Sequence, residues 1–308
     1  MRGTDMYDIL VAGEINPDLI LTGEVVPAFN QVEKLLDSAS LTIGSSSVIF
    51  ACGIARLGLK VAFIGRCGDD IFGRFMLEEM EKRHIDISHI IIDMNGHTGL
   101  SIILTKKADR AILTFPGLIN ALSASDVTDT LLKQSKHIHV ASYFLQTSLQ
   151  PDLPYLFRHA HALGLTTSLD TNYDPSERWT GFDELLSLTN IFLPNATEAL
   201  SITRAYDVES ASKLLAEKVE LVSIKLGALG ALACKQGELT KAKSINTNVV
   251  DTIGAGDSFD AGLLYGYLNN WSIEKCLRLA CDCGGLSTQK AGGTEGQPTL
   301  DQAMKYVP

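Results

Sequence analysis

The chain has 308 residues, 45% of them hydrophobic, and 26 Lys and Arg stand against 36 Asp and Glu for a formal net charge of −10. That acidic balance, with its bases scattered, excludes a nucleic-acid-binding face, and no apolar run approaches the ~20 residues that span a bilayer. Six cysteines (Cys52, Cys67, Cys234, Cys276, Cys281 and Cys283) form no Cys-x-x-Cys pair and read as reduced core residues of a cytoplasmic protein, with Cys281-Asp282-Cys283 too tightly spaced for a zinc site.

In chain order, residues 9–13 form an apolar strand that delivers Glu14-Ile15-Asn16-Pro17-Asp18 at its carboxyl end. Asp18 there can accept hydrogen bonds from two ligand hydroxyls, turn chemistry being the plainer alternative. Residues 19–43 and 98–115 alternate like strands and contain no good helix. Between them Gly44-Ser45-Ser46-Ser47 opens a helix over 47–57, and the three serines offer either caps to that helix or hydroxyls to a ligand. Strands over 61–64, 137–141, 166–169, 191–193 and 221–224 then alternate with helical patterns such as 72–83 and 151–163, which argues for a parallel sheet covered on both faces. Three of these strands end in polar motifs, at the edge where open parallel sheets bind ligands. They are Asp170-Thr171-Asn172, Asn195-Ala196-Thr197-Glu198 and Lys225-Leu226-Gly227-Ala228-Leu229-Gly230. Taken alone, the second is a helix capping box and the third a turn with a solvated lysine. No linker, repeat or charge block divides the chain, so residues 1–308 read as one domain.

The most specific stretch is Asp251-Thr252-Ile253-Gly254-Ala255-Gly256-Asp257-Ser258-Phe259-Asp260-Ala261-Gly262. Phe259, Leu263, Leu264, Tyr267 and Leu268 recur at helical spacing, so a helix begins near Gly256. The N–H groups of Gly254, Ala255 and Gly256 can close around an anion at the positive end of that helix. A carboxylate beside a phosphate repels it, yet it suits the base that takes a proton from an attacking hydroxyl, so Asp257 is a candidate catalytic residue. The plainer alternative is a glycine-rich helix start with a capping Asp. The P-loop pattern Gly-x-x-x-x-Gly-Lys-Ser/Thr is absent from the sequence.

This string resembles the C-terminal signature of the ribokinase-like (PfkB) carbohydrate kinase family at every defining position. The run from Gly44 through Ala55-Arg56-Leu57-Gly58 to Gly68-Asp69-Asp70 and Gly73 is similar to the family's first signature, with Ser45 and Ser47 at glycine positions and Ile49 where relatives carry an Asn that helps to hold the sugar. The three strand-end motifs match the family in order, although Asp174 stands where many relatives carry Arg. The resemblance implies a three-layer α/β/α sandwich with a mostly parallel central sheet and a small β-sheet lid drawn from about residues 14–44 and 96–118, often also a dimer surface. It implies an ATP-dependent kinase that phosphorylates a hydroxyl of a small sugar or sugar-like acceptor. Asp257 is then the base, Gly254, Ala255 and Gly256 the anion hole, and Asp18, Gly44, Ser45 and Asn172 contact the acceptor. Asn195, Lys225, Gly227, Gly230 and Gly256 lie on the nucleotide side, with Asn195 and Glu198 organising magnesium through water. Asp251 and Ile253, with the Gly292-Gly293-Thr294 loop, would surround potassium, a structural turn being the alternative. Two other readings stand beside it: a nucleoside kinase of the same family, kept open by Ile49, and a non-catalytic sugar- or nucleotide-binding protein. Lys106, Lys107 and Arg110 read as a solvated hairpin tip.

Overall fold

In the computed structural model, which describes residues 6–106 and 109–307, the period-2 alternation of the strands sorts side chains into two cores. Ile9, Val11, Val61 and Phe63 face one core, while Leu10, Ala12, Ala62 and Ile64 face the other. Strands buried on both faces read as unbroken apolar runs, which is how residues 9–12 and 61–64 appear. Eight strands form the main sheet, in the order Glu238–Ala242, Ala231–Lys235, Leu221–Lys225, Ile191–Phe192, Thr166–Leu169, His137–Val140, Ile9–Ala12 and Val61–Ile64. Neighbours pair in parallel except for the two antiparallel strands at the first edge.

Helices cover both faces and complete three layers. Ser46–Arg56, Ala255–Leu268 and Ile273–Ser287 lie on the first core, and Leu153–Ala162, Ala196–Thr203 and Val208–Ala216 on the second. Phe50 and Phe63 are fully enclosed; burying such a side chain contributes ~1.5–3 kcal/mol. The last two helices of the first face come unusually close, because a β-carbon on Gly262 would lie 2.9 Å from Ala280 Cα and one on Gly266 2.8 Å from Cys276 Sγ. All six cysteines are buried and unpaired. The helices expected over 47–57, 72–83 and 151–163 are Ser46–Arg56, Ile71–Lys82 and Leu153–Ala162. The last starts late because Gln150–Asp152, with its proline, forms a separate 3₁₀ turn.

A second sheet of four strands, Leu36–Ile43, Pro17–Gly23, Leu100–Lys106 and Asp109–Phe115, forms the lid. Lys107, expected at its hairpin tip, lies outside the described residues. The first strand of the main sheet ends just before Glu14, and the lid strand beginning at Pro17 carries Asp18, so main sheet and lid meet at this edge.

Candidate active site

Gly254 has φ +70°, and a β-carbon there would sit 2.6 Å from the Gly293 carbonyl oxygen and 2.8 Å from Ile49 Cγ2. Only glycine fits this turn. The helix that follows starts at Ala255, and Ser258 N–H donates back to the Gly254 carbonyl at 2.9 Å. The N–H groups of Gly256 and Asp257 therefore have no acceptor within the helix and carry its positive end. A β-carbon on Gly256 would meet nothing nearer than Lys225 Cδ at 3.6 Å, so the approach to those donors is open.

Asp257 is 9% exposed, and Ser46 Oγ donates to its Oδ1. Among the described residues no donor reaches Oδ2. Burial pushes the carboxyl up to about 7, with the Ser46 hydrogen bond and Lys225 acting downward and Asp170 and Glu14 upward. A buried carboxylate with one free oxygen beside a cluster of free N–H groups can hold a hydroxyl and take its proton.

The three serines divide the two roles expected of them. Ser45 caps its helix by accepting from Val48 N–H at 3.0 Å, and its hydroxyl lies 2.7 Å from the Glu14 carbonyl oxygen. Ser47 donates to Glu14 Oε2 at 2.5 Å, and Ser142 to Glu14 Oε1 at 2.9 Å. Ser46 alone points to Asp257. Asn172, at φ +51°, accepts from Ser142 N–H at 2.8 Å and donates to Ser46 Oγ at 3.0 Å. Glu14, 2% exposed, thus anchors a chain of hydrogen bonds that ends on Asp257. Sequence reasoning gave Glu14 and Ser142 no role; the available signal was an acidic residue at a strand end facing a run of hydroxyls.

Asp18 lies across this space at 7% exposure. Gly44 makes room for it, since a β-carbon on Gly44 would lie 2.2 Å from Asp18 Oδ1. Burial and the neighbouring Asp257 push the Asp18 carboxyl up to about 7, with Arg110 opposing. Arg110 is exposed near the hairpin tip, as expected, and its guanidinium also comes within 3.7 Å of Asp251 Oδ1. Ile49, 3% exposed, packs against Gly254 and Gly293 and so supports the glycine turn. Asp174 organises its own loop, accepting from Ser176 and Trp179 N–H at 2.8 Å each.

Lys225 corrects the plainer reading of a solvated turn lysine, since its side chain is largely buried beside two carboxylates. Its ammonium donates to Asp170 Oδ2 at 2.7 Å and Asp260 Oδ2 at 3.0 Å, with both carboxylates almost fully buried. One oxygen each from Asp170, Asp257 and Asp260 gather within 4.8 Å, and the lysine is the cation already among them. Asp170 keeps a carboxyl below the ordinary range despite its burial because Lys225 stands beside it, whereas burial drives Asp260 well above that range. Asn195 and Glu198 form the capping box: Glu198 Oε2 accepts from Asn195 N–H at 2.8 Å and Asn195 Oδ1 from Glu198 N–H at 3.0 Å. Burial and Asp170 push Glu198 up to about 7.

A cleft of about 510 Å³ adjoins the glycine turn, lined by Ala255, Gly256, Lys225, Gly227, Gly230 and Gly284 among others. Beside the turn, Asp251 accepts from Ile253 N–H and Gly292 N–H at 3.0 Å each, tying the two loops together.

Comparison with known proteins decides what this arrangement belongs to. The sequence model of the pfkB family carbohydrate kinases matches residues 6–300. The chain belongs to that family. It is 32% identical over 249 residues to the "uncharacterized sugar kinase" of Archaeoglobus fulgidus, covering 80% of this chain and 98% of that protein. It is 28% identical over 283 residues to the 5-dehydro-2-deoxygluconokinase of Geobacillus thermodenitrificans, covering 86% of this chain and 84% of the relative. A chain from E. coli solved in complex with ATP and Mg2+ superposes with a TM-score of 0.87 at 22% identity, over 98% of this chain and 99% of that one. The fold is therefore the ribokinase-like α/β/α sandwich with a small lid sheet, and the protein is a carbohydrate kinase, a phosphotransferase.

In this carbohydrate kinase the sequence-expected residues Asp257, Gly254, Ala255, Gly256, Ser45, Gly44, Asp18 and Asn172 gather where main sheet and lid meet. Lys225, Gly227 and Gly230 line the adjoining cleft. Asn195 pairs with Lys225 in an isolated bridge at the sheet's edge, which brings Glu198 within electrostatic reach of Asp170. Asp251 and Ile253 meet the Gly292 loop as expected, although both Asp251 carboxylate oxygens already accept backbone N–H groups.

Proposed function

We propose that Asp257 is the base of this carbohydrate kinase, taking the proton of an acceptor hydroxyl as it attacks the γ-phosphorus of ATP. The observation that carries this reading is the buried Asp257 carboxylate, with Oδ2 free, beside the unbonded N–H groups of Gly256 and Asp257. The acceptor is a small sugar or a sugar-like molecule, held by the unpaired Asp18 carboxylate and the walls at Gly44, Ser45 and Asn172. The O–P bond to the acceptor forms, the bond to the β-phosphate oxygen breaks, and ADP leaves by the cleft. Charge on the transferred group is met by the glycine-turn N–H groups.

ATP fits a cleft of about 510 Å³ that opens onto those donors. Magnesium fits the donor chemistry near Asn195 and Glu198, because Glu198 is a buried carboxyl whose proton affinity is raised by burial and by Asp170, and a divalent cation would relieve both. When bound, that ion supplies electrostatic neutralisation of the phosphates, with Asn195 and Glu198 holding it through water. We also propose potassium beside Asp251 and Ile253, and one kinase domain over residues 1–308 in the cytoplasm. A lid-to-lid homodimer is supported by Leu41, Ile112, Leu113 and Phe115, exposed on the lid strands; light scattering on a Leu113→Glu variant tests it. A nucleoside acceptor loses its main support, since Ile49 packs under the turn.

The test is acceptor-dependent ADP release from ATP and magnesium, in sodium and in potassium, across ribose, fructose, 2-keto-3-deoxygluconate, sugar phosphates and nucleosides. Turnover with one sugar or sugar acid is the expected result. Bound ATP with no turnover on any acceptor contradicts it, and equal rates in the two salts remove the potassium site.

A further inference from the structure

Among the described residues the Ser46 hydroxyl is the one group that bonds to the Asp257 carboxylate, and nothing in the motif arithmetic of the sequence brings the two together, since they lie 211 positions apart. Its neighbours Ser45 and Ser47 turn the other way, toward Glu14. Ser46 itself is gripped from behind by Asn172 Nδ2 at 3.0 Å. Asn172 is fixed by Ser142 N–H, and the Ser142 hydroxyl ends on Glu14. A hydroxyl has one proton to give. With Asn172 donating into the Ser46 lone pairs, that proton is directed to Asp257 Oδ1.

We propose that Ser46 is a positioning residue that assigns the two oxygens of Asp257 different tasks, Oδ1 held by the protein and Oδ2 presented to the acceptor hydroxyl. This rests on Asp257 being the base. A terminal carboxylate torsion is broad and roughly two-fold, so without a bond at one oxygen either can swing toward the acceptor, and proton transfer needs a heavy-atom separation of about 2.6–3.2 Å. Ser46 removes that freedom. It also favours the ionised form, the one a base requires, by giving it a hydrogen bond. The other charged groups facing Asp257 are Asp170 and Lys225 at their strand ends, Glu14 beyond the first strand, Asp18 on the lid and Asp260 one turn along its own helix. Among the described residues none of these groups bonds to Oδ1, so Ser46 is the group whose removal acts on that oxygen.

The experiment compares Ser46→Ala and Ser46→Thr for kcat, KM of the acceptor, the acid limb of kcat against pH, and thermal stability. Ser46→Ala is expected to lower kcat roughly tenfold, about the value of one hydrogen bond to a charged group. It should leave the KM of ATP unchanged and move the acid limb upward by about half to one pH unit. Ser46→Thr, which keeps the hydroxyl, restores both. Asn172→Ala, which loosens Ser46 from behind, moves the limb in the same direction by less and gives a second reading if Ser46→Ala is poorly folded. A Ser46→Ala enzyme with unchanged kcat and an unshifted acid limb overturns the proposal. If Asp257→Asn is inactive at the same time, only the role of Ser46 falls; if Asp257→Asn is active, the base assignment beneath it falls instead.

Discussion

Replacing Lys225 with Met removes the one cation from a buried cluster while keeping most of the apolar stem. The Lys225 side chain is 13% exposed and those of Asp170 and Asp260 are 2% and 1%, so solvent cannot take over the role of the ammonium. Removing one partner of a buried pair costs ~3–5 kcal/mol. The lower part of that range applies, because burial already drives the Asp260 carboxyl well above the ordinary range and leaves Asp170 as the main charge to be stranded. The sign with pH follows from linkage. In the native protein the Asp170 carboxyl lies below its ordinary value, so it contributes stability at pH above about 4 that is lost as the pH falls through its lowered value. Without Lys225 that carboxyl rises above the unfolded value, and folding is penalised at every pH above the raised value and relieved as the pH falls. Urea denaturation at pH 7.5 and pH 5 should therefore show a deficit of about 3 kcal/mol that shrinks at the lower pH. A deficit below about 1 kcal/mol, equal at both pH values, refutes the reasoning.

Gly254→Ala and Gly256→Ala should separate strain from ligand approach. The first forces a β-carbon against the Gly293 carbonyl at φ +70°, and should lower the melting temperature by several degrees, about 1–3 kcal/mol. The second meets only ordinary contacts, so calorimetry should find weaker ATP binding with stability unchanged; equal thermal effects in the two variants would contradict this. Because the Asp257 carboxyl titrates at about 7 and works ionised, kcat should fall as the pH drops below that value and level off above it. A flat profile down to pH 5.5 would place the base elsewhere.

Much of this molecule is readable in its sequence because the signals are local. The glycine turn, the helix start at Ala255 and the apolar strands each sit within a dozen residues, and periodicity or spacing reveals them. The capping box of Asn195 and Glu198 is local too, and forms as its spacing dictates. What escaped is made by distant chain segments. Ser46 meets Asp257 across 211 positions, and Lys225 meets Asp170 across 55. Taken alone, the Gly-x-x-Gly turn suggested a solvated Lys225, but a deciding partner, Asp260, is an acidic residue three positions after Asp257 on the same helical face. A second Asp one turn after Asp257, on a mostly apolar helix, was the available clue. The contact of the exposed Arg110 with Asp251 escaped for the same reason.

The central claim is that Asp257 takes the acceptor's proton. Phosphoryl transfer by Asp257→Asn, measured with nucleotide affinity on the same preparation, tests it most directly. The variant keeps the size of the side chain and can still accept a hydrogen bond from Ser46, so ATP should bind as before while kcat falls by at least about a thousandfold. Turnover within tenfold of the native enzyme, with ATP binding intact, would contradict the account.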